Sequence, residues 1–251
     1  MKSKLSFFAD AYTCCKACKR PFIDWNAQEA CLAYSSKHLH QLKSYWHAHI
    51  YGDEVTFDMS HRESAWVTRL SSERYHKDCI QHTFNSGHAS VPILGAISHN
   101  GKSSLVFLKP TGKCGITADN YHHQVLVPIV SAAFHNSSVG FLALPEGQFV
   151  KDQAPWHGTR KASVEVKKEL GIPVHKRPPA SPDLNPIENV WRIMKQHIKA
   201  RPHFPGTYSV ICKAVQEEWD RLKPSDWNPL IDSMLERLME FRALHGMQTK
   251  W

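Results

Sequence analysis

The protein has 251 residues, and its composition, with 42% hydrophobic and 22% charged residues, is typical of soluble globular domains. The sequence has no apolar run of about eighteen residues and no secretory signal pattern at its start, so neither a membrane span nor secretion is expected. The formal net charge of +8 favours a polyanionic partner such as nucleic acid. Seven cysteines without regular spacing indicate reduced thiols in a cytosolic or nuclear compartment.

The first half of the chain predicts helices followed by strands. In chain order, the predicted elements are a helix over 24–46 that breaks near 34–36, a strand over 47–59, and a hairpin over 90–110 that turns at Asn100 and Gly101. In the strand, the residues that alternate from Tyr51 onward share one face, and that face should be buried.

The second half predicts alternating strands and helices, and then helices alone. In chain order, the predicted elements are a helix over 117–134 with a candidate kink at Pro128, one or two short strands within 139–152, a helix over 158–170 that Gly171 ends, a strand over 172–174 and a helix over 186–199. Two amphipathic helices follow. The first carries Ile211, Val215, Trp219 and Leu222, and the second carries Ile231, Met234, Leu235, Leu238 and Phe241. This order indicates a mixed α/β domain with a C-terminal helical tail.

Three carboxylates lie at distinctive positions of these elements: within a strand, directly after a strand, and in the first turn of a helix. Asp53 shares the apolar face of its strand with Met59, where an ionised group must be paired to be tolerated. Taken alone, this feature favours a structural Asp satisfied by an Arg or a backbone N–H. Asp152 follows a strand, where open α/β sheets place ligands, although a turn residue would look the same. Glu188 is the third residue of a helix that Asn185 could cap, and capping alone could explain it.

Taken together, the three carboxylates suggest more than their separate structural roles. The rigid lead-in "PPASPDLNP" fixes the start of the Glu188 helix, as a site built from distant segments requires. Converging carboxylates offer hard oxygen ligands to Mg²⁺ or Mn²⁺, and two such ions can drive an in-line displacement at phosphorus. We therefore expect Asp53, Asp152 and Glu188 to be the catalytic residues and metal ligands, with the backbone of Glu188 also taking part in capping.

At these residues the sequence resembles the Tc/mariner-type DDE transposases. The stretch "SPDLNPIENVW" resembles their third catalytic block, "KDQAPWH" the second, and "YGDEVTF" the first. The hairpin "LGAISHNGKSSLVFL" and the closing "GMQTKW" are also similar to segments of that family. The resemblance extends from about Lys16 to Trp251.

The resemblance implies an RNase H-like mixed sheet flanked by helices, with an N-terminal helical arm over 1–46 and a catalytic domain with C-terminal helices over 47–251. It implies a metal-dependent DNA endonuclease and strand transferase of a cut-and-paste transposon. The implied partners are transposon-end and target DNA and, in the active state, a second copy of the chain, with no membrane involved. The triad falls on Asp53, Asp152 and Glu188, with Glu54 and Asp183 as flanking acids, and the implied location is the nucleus.

Some positions depart from the family pattern. Gln153 replaces the usual Asn of the second block, Gly52 the usual Ser of the first, and Leu94 a usual Trp. Family members begin with roughly a hundred residues of paired helix-turn-helix modules, and Asp53 comes too early to leave room for them. We therefore expect a truncated copy, an incomplete gene product, or a catalytically silent or domesticated remnant that binds DNA or another partner.

Basic residues near the predicted site are candidate DNA contacts. They are His157 in the second block and four residues that follow Glu188, namely Arg192, Lys195, Lys199 and Arg201. They could contact backbone phosphates without reading sequence, or they could form an ordinary solvated face, with a local structural role for His157.

The cysteines near the N-terminus raise a zinc hypothesis. Cys14, Cys15, Cys18 and Cys31 form a cluster in which Cys15 and Cys18 have the spacing of a zinc finger. A histidine pair at the spacing that a finger needs does not follow. A small zinc-binding adaptor is therefore the third hypothesis, after the enzyme and the silent remnant.

Overall fold

The computed structural model describes residues 23–58, 90–108, 122–135, 146–151, 166–201, 207–247 and 249–251. The predictions for Met59, Asp152 and His157 and for the cysteines Cys14, Cys15 and Cys18 lie outside these described residues.

The described strands form one mixed sheet, as the sequence predicts. They are β1 (Ile50–Asp58), β2 (Ser90–Ser98), β3 (Gly101–Lys102), β4 (Val106–Phe107), β5 (Phe149–Val150) and β6 (Val174–His175). The order across the sheet is β3–β2–β1–β5–β6, and β4 also pairs with β2. Strand β1 pairs antiparallel with β2 and parallel with β5, so it lies at the centre of the sheet.

Helices cover both faces of this sheet. They are α1 (Trp25–His38), α2 (Lys43–His47), a π-helix (His122–Ser131) that continues as α3 (Ala132–His135), a helical turn over 166–169, a 3-10 turn (Pro182–Leu184), α4 (Pro186–Ala200), α5 (Tyr208–Arg221), α6 (Pro224–Asp232) and α7 (Met234–Ala243). Among the described residues, no helix is both long and apolar enough to cross a membrane.

Each face of the sheet is covered by its own apolar core. On one face Tyr51, Val55 and Phe57 pack against the C-terminal helices α4 to α7. On the other, Ile50 and Leu94 pack against the π-helix. Alternation along β1 therefore assigns its side chains to two different cores, as a strand with both faces covered requires.

The N-terminal helix breaks later than predicted. Tyr34 and Ser35 lie inside α1, and the break falls between His38 and Lys43. Ser35 is fully buried and its hydroxyl donates to the carbonyl of Cys31 at 2.7 Å, so this polar residue is satisfied within the helix and does not interrupt it.

The C-terminal tail contains one break that the sequence pattern did not predict. The residues expected to form one helix around Ile231 and Phe241 form α6 and α7, which meet at Ser233. The hydroxyl of Ser233 donates to the carbonyl of Leu230 at 2.8 Å, and its backbone N–H makes the last helical bond of α6, to the carbonyl of Pro229.

Two predicted turns are confirmed. Asn100 has a positive φ of 66° between β2 and β3, and Gly171 has a positive φ of 61° after the helical turn over 166–169. Pro128 lies within the π-helix, whose wider turn accommodates a residue without a backbone N–H. Residues 117–121 of that predicted helix lie outside the described part of the chain.

Candidate catalytic site

Asp53 lies at the centre of β1 on the predicted face. It is 6% exposed and shares that face with Tyr51, Val55 and Phe57. Its direct partner across the antiparallel ladder is Gly95 of β2. A buried carboxylate at the centre of a sheet is costly unless cations or donors face it, so its surroundings decide its function.

Helix α4 brings Glu188 to the same side of the sheet. Trp191, one turn after Glu188, packs on Gly95, because a Cβ at Gly95 would lie 2.8 Å from the Cη2 atom of Trp191. Directly opposite residues of an antiparallel pair project to the same face. The first turns of α4 therefore lie over the ladder position that Asp53 occupies.

A hydrogen bond from Asn185 joins the start of α4 to β1. Its Nδ2 donates to the carbonyl of Gly52 at 3.4 Å, next to Asp53. The predicted capping by this side chain is wrong, since Asn185 occupies the N-cap position but makes no side-chain cap bond. The amide is oriented toward the strand, while the Glu188 N–H bonds to the Asn185 carbonyl at 3.1 Å, so only the backbone part of the capping prediction is found.

The proline-rich lead-in is fixed to the end of β5. Arg177 is 8% exposed, and its Nε donates to the carbonyl of Lys151 at 3.3 Å while its Nη1 donates to the carbonyl of Ser181 at 3.0 Å. The Ser181 hydroxyl closes the loop on the carbonyl of Pro178 at 2.6 Å. Lys151 is the residue immediately before Asp152 in the sequence, so the loop that precedes Glu188 is tied to the chain beside the second predicted acid.

The ammonium group of Lys195 interacts with the charges of both described acids. Partial burial lowers the pKa of the Lys195 ammonium, while the charges of Glu188 and Asp53 oppose that shift. The Lys195 Nζ also lies 5.7 Å from the ring centre of Phe57, two positions from Val55 on the Asp53 face. Both carboxylates therefore act on the Lys195 ammonium.

A row of charged residues continues from Glu188 along α4. Arg192, Lys195 and Lys199 follow it at four-, seven- and eleven-residue steps, and all four residues are exposed. These steps place them on one side of a helix. Three of the predicted DNA contacts thus lie on the side of α4 that carries Glu188.

Arg201 is held within the protein. Its guanidinium donates to Glu217 at 2.9 Å, to Glu218 at 3.2 and 2.5 Å, and to the carbonyl of Ala214 at 3.2 Å. Burial would raise the pKa of Glu218, but the bond and charge of Arg201, together with Arg221, outweigh it and leave the pKa below its ordinary value. These contacts join α4 to α5, and the prediction that Arg201 touches DNA stays a prediction.

A separate group with metal-binding side chains lies away from the acids. Within the described residues, His47, His99 and Asp232 are the one set of three whose ligand atoms lie within 4.8 Å of one another. The His47 Nε2 lies 2.6 Å from Asp232, but the two imidazoles are stacked at 3.7 Å with planes only 10° apart. A ring nitrogen binds a metal in the plane of its ring, and two stacked planes cannot meet at one ion, so this group is better explained as a hydrogen-bonded pair with a stacked neighbour. His99 lies in the turn after β2, about 13 Å along the strand direction from Gly95, and the group is distinct from the Asp53 site.

Cys31 is a core residue of α1. It is a free thiol with no exposed surface, and burial, with the nearby charge of Asp183, raises its pKa to about 11. Zinc binds the thiolate form of cysteine, so this environment disfavours Cys31 as a ligand.

The sequence did not identify two of the residues that build the site. Arg177 was not singled out, although a basic residue ahead of a proline-rich loop is a candidate to satisfy that loop's carbonyls. Gly95 was named only as part of a hairpin, and its role depends on Trp191, which no local pattern links to it.

Comparison with known proteins supports the family resemblance. A family described as DDE superfamily endonuclease matches residues 48–208. The transposable element Tcb2 transposase of Caenorhabditis briggsae is 24% identical over 234 residues, which cover 93% of this chain and 81% of that protein.

Solved structures share the architecture. A pre-cleavage Mos1 transpososome aligns with a TM-score of 0.73 at 17% identity, covering 96% of this chain and 69% of that chain. Mos1 paired end complexes with Mn and with Mg give TM-scores of 0.72 and 0.70 at 18% and 16% identity, and cover 96% and 97% of this chain and 69% of each of those chains. The mixed sheet with flanking helices is common to them, which confirms the predicted RNase H-like fold.

Proposed function

The chain belongs to the DDE superfamily endonucleases and carries a catalytic domain of the Tc/mariner transposase type, and from this premise we propose that it cuts DNA and joins DNA ends with divalent metal ions. The observation that carries the proposal is that Trp191 of α4 packs on Gly95, the ladder partner of Asp53. Lys195, on the same helix, lies in the field of both Asp53 and Glu188. We further propose residues 47–251 as the catalytic domain, 1–46 as its arm, and the nucleus as the place of action.

The described acids fit a hard divalent cation. Asp53 and Glu188 offer carboxylate oxygens, which Mg²⁺ and Mn²⁺ prefer, and one is buried while the other is exposed to an incoming substrate. Asp152, next in the chain after Lys151, is the proposed third ligand. The ions, two in our proposal, would supply an activated water or 3′-hydroxyl and stabilise the leaving oxygen of the phosphodiester.

The residues of this chain supply position and charge. Asn185 and Trp191 hold the start of α4 on the sheet, so that Glu188 keeps a fixed distance from Asp53. Preorganised charge of this kind avoids reorganisation during the reaction, which is a large part of its catalytic value. Arg192, Lys195 and Lys199 then receive the DNA backbone beside the acids, and transposon-end and target DNA are the proposed partners of a dimer.

The proposal is tested by cleavage of a pre-nicked transposon-end duplex in Mn²⁺. Asp53→Asn, Asp152→Asn and Glu188→Gln should each lower the rate at least about a hundredfold, since each removes a ligand charge from the reacting centre. Glu54→Gln is the matched control, because Glu54 neighbours Asp53 on β1 but belongs to the other face of the strand, and it should keep most of the activity.

Lys195→Gln tests the DNA contact in a binding measurement that involves no cleavage. It should weaken binding to duplexes of different sequence by the same factor, and it should lower the salt dependence of binding by about one counterion. Lys213→Gln, on the exposed side of α5, should change neither the affinity nor its salt dependence. A wild-type protein that binds DNA but cleaves none of it in Mn²⁺ would contradict the enzyme and leave a silent DNA-binding remnant.

A further inference from the structure

The C-terminal residues dock on the loop that starts the Glu188 helix. Thr249 is 4% exposed, and both its backbone N–H and its hydroxyl donate to Oδ2 of Asp183 at 2.8 Å. Asp183 is 5% exposed and lies in the 3-10 turn directly before α4. A flanking acid of the "SPDLNP" segment therefore has a partner at the far end of the chain.

Arg237 completes the same connection from α7. It has no exposed surface. Its guanidinium donates to the carbonyl of Asp183 at 2.6 Å and to Oδ1 of Asn189 at 2.9 Å. Asp183 comes before Glu188 in the chain, and Asn189 comes directly after it. The ring of Trp251 lies 4.6 Å from the guanidinium carbon. Burial lowers the pKa of Arg237 to about 10, so the side chain stays charged at neutral pH and these bonds are charge-assisted.

The path of the chain into this contact is also fixed. Gly246 follows α7 with a φ of 82°, and a Cβ there would lie 2.4 Å from the carbonyl oxygen of Gln28 in α1. Glu240 accepts a bond from the Lys250 N–H at 3.0 Å. The chain thus passes close to α1 at Gly246, and the C-terminal segment, residues 249–251, is held by α7 and Asp183.

We propose that the C-terminal segment positions the first turn of α4, with Asp183 and Thr249 as positioning residues that set the place of Glu188 relative to Asp53. Asn185 bonds this turn to β1. Thr249 of the C-terminal segment bonds to Asp183, and Arg237 of α7 bonds to Asn189. Glu188 is attached to this turn, so a shift of the backbone there moves its carboxylate as well. The inference rests on the proposed function for its catalytic meaning, because a misplaced Glu188 would bind metal more weakly.

The test uses the full chain with three variants. Thr249→Val removes the hydroxyl bond to Asp183, and Thr249→Ser keeps it. Thr207→Val is the matched control, because Thr207 is exposed and, among the described residues, its hydroxyl meets Ser209 on the neighbouring turn. The first measurement is hydrogen exchange of the amides over 187–191, and the second is the Mn²⁺ concentration that gives half-maximal DNA cleavage.

Thr249→Val should raise exchange over 187–191 roughly three- to tenfold, the effect of one buried hydrogen bond, and raise the half-saturating Mn²⁺ by a similar factor. The rate at saturating Mn²⁺ should recover, Thr249→Ser should resemble the wild type, and Thr207→Val should change neither quantity. Unchanged exchange over 187–191 would overturn the proposal, and so would a lower maximal rate with an unchanged Mn²⁺ requirement. If instead the wild-type protein shows no Mn²⁺-dependent cleavage, the nuclease assignment fails by itself, and the exchange result still decides whether the C-terminal segment holds this turn.

Discussion

Two buried histidines should make the fold unstable in mild acid. His49 has no exposed surface, and neither ring nitrogen has a hydrogen-bond partner within the described part of the chain. Burial, with the nearby charge of His38, lowers its pKa to about 4. His175 is 4% exposed, bonds to Tyr34 and Gln148 at 2.7 and 2.8 Å, and has its pKa lowered to about 3 by burial and by His49.

The sign and size of the effect follow from these pKa values. An unfolded histidine takes up a proton below about pH 6.5, whereas these folded ones stay neutral until about pH 4 or below. Between those limits the unfolded state binds more protons, so stability is complete above pH 6.5 and is lost as the pH falls. Each group contributes about 1.4 kcal/mol per pH unit, and the pair should cost about 3 kcal/mol between pH 6.5 and pH 5.

Urea unfolding followed by tryptophan fluorescence at pH 7.5, 6.5, 5.5 and 5.0 measures this loss. His49→Gln and His175→Gln should each flatten the pH dependence of the unfolding free energy by about 1.4 kcal/mol per unit, whatever they do to stability at pH 7.5. His40→Gln, at an exposed position, is the control and should keep the wild-type slope. If both buried variants kept that slope as well, His49 and His175 would not be the groups that destabilise the protein in acid.

Two further substitutions test how α4 is held. Gly95→Ala should destabilise the protein by about 1–3 kcal/mol in urea unfolding, because the new methyl group would lie 2.8 Å from Trp191 and 3.1 Å from Leu105; an unchanged unfolding midpoint would contradict this packing. Glu218→Gln should cost about 2 kcal/mol, because it weakens the bonds that Arg201 and Arg221 make to a side chain only 5% exposed. Thermal unfolding measures that loss, and a variant as stable as the wild type would show that the bonds of Glu218 to Arg201 and Arg221 do not stabilise the protein.

Local patterns were sufficient to predict the elements that carry the site. Alternation along 51–57 identified the buried face on which Asp53 lies, because side chains of a strand project alternately. Asn100 and Gly101 marked the hairpin turn through their tolerance of positive φ, and Pro186 marked the start of α4.

Contacts between distant segments could not be predicted in this way. The pairing of β1 with β2 on one side and β5 on the other depends on side chains far apart in the sequence, and no periodicity encodes it. The same holds for Asn185, whose side chain is at a capping position and yet bonds to Gly52 across the core. Asp183 looked like a flanking acid, since its partner Thr249 lies 66 positions further along the chain.

Metal localisation tests the main proposal most directly. Crystals of the protein with a transposon-end duplex, soaked in Mn²⁺ and measured at the manganese absorption edge, should give anomalous density within about 2.2 Å of carboxylate oxygens of Asp53 and Glu188. Glu188→Gln should weaken or remove that density. Strong density only at His47, His99 and Asp232, or carboxylates of Asp53 and Glu188 too far apart to share a cation, would contradict the account.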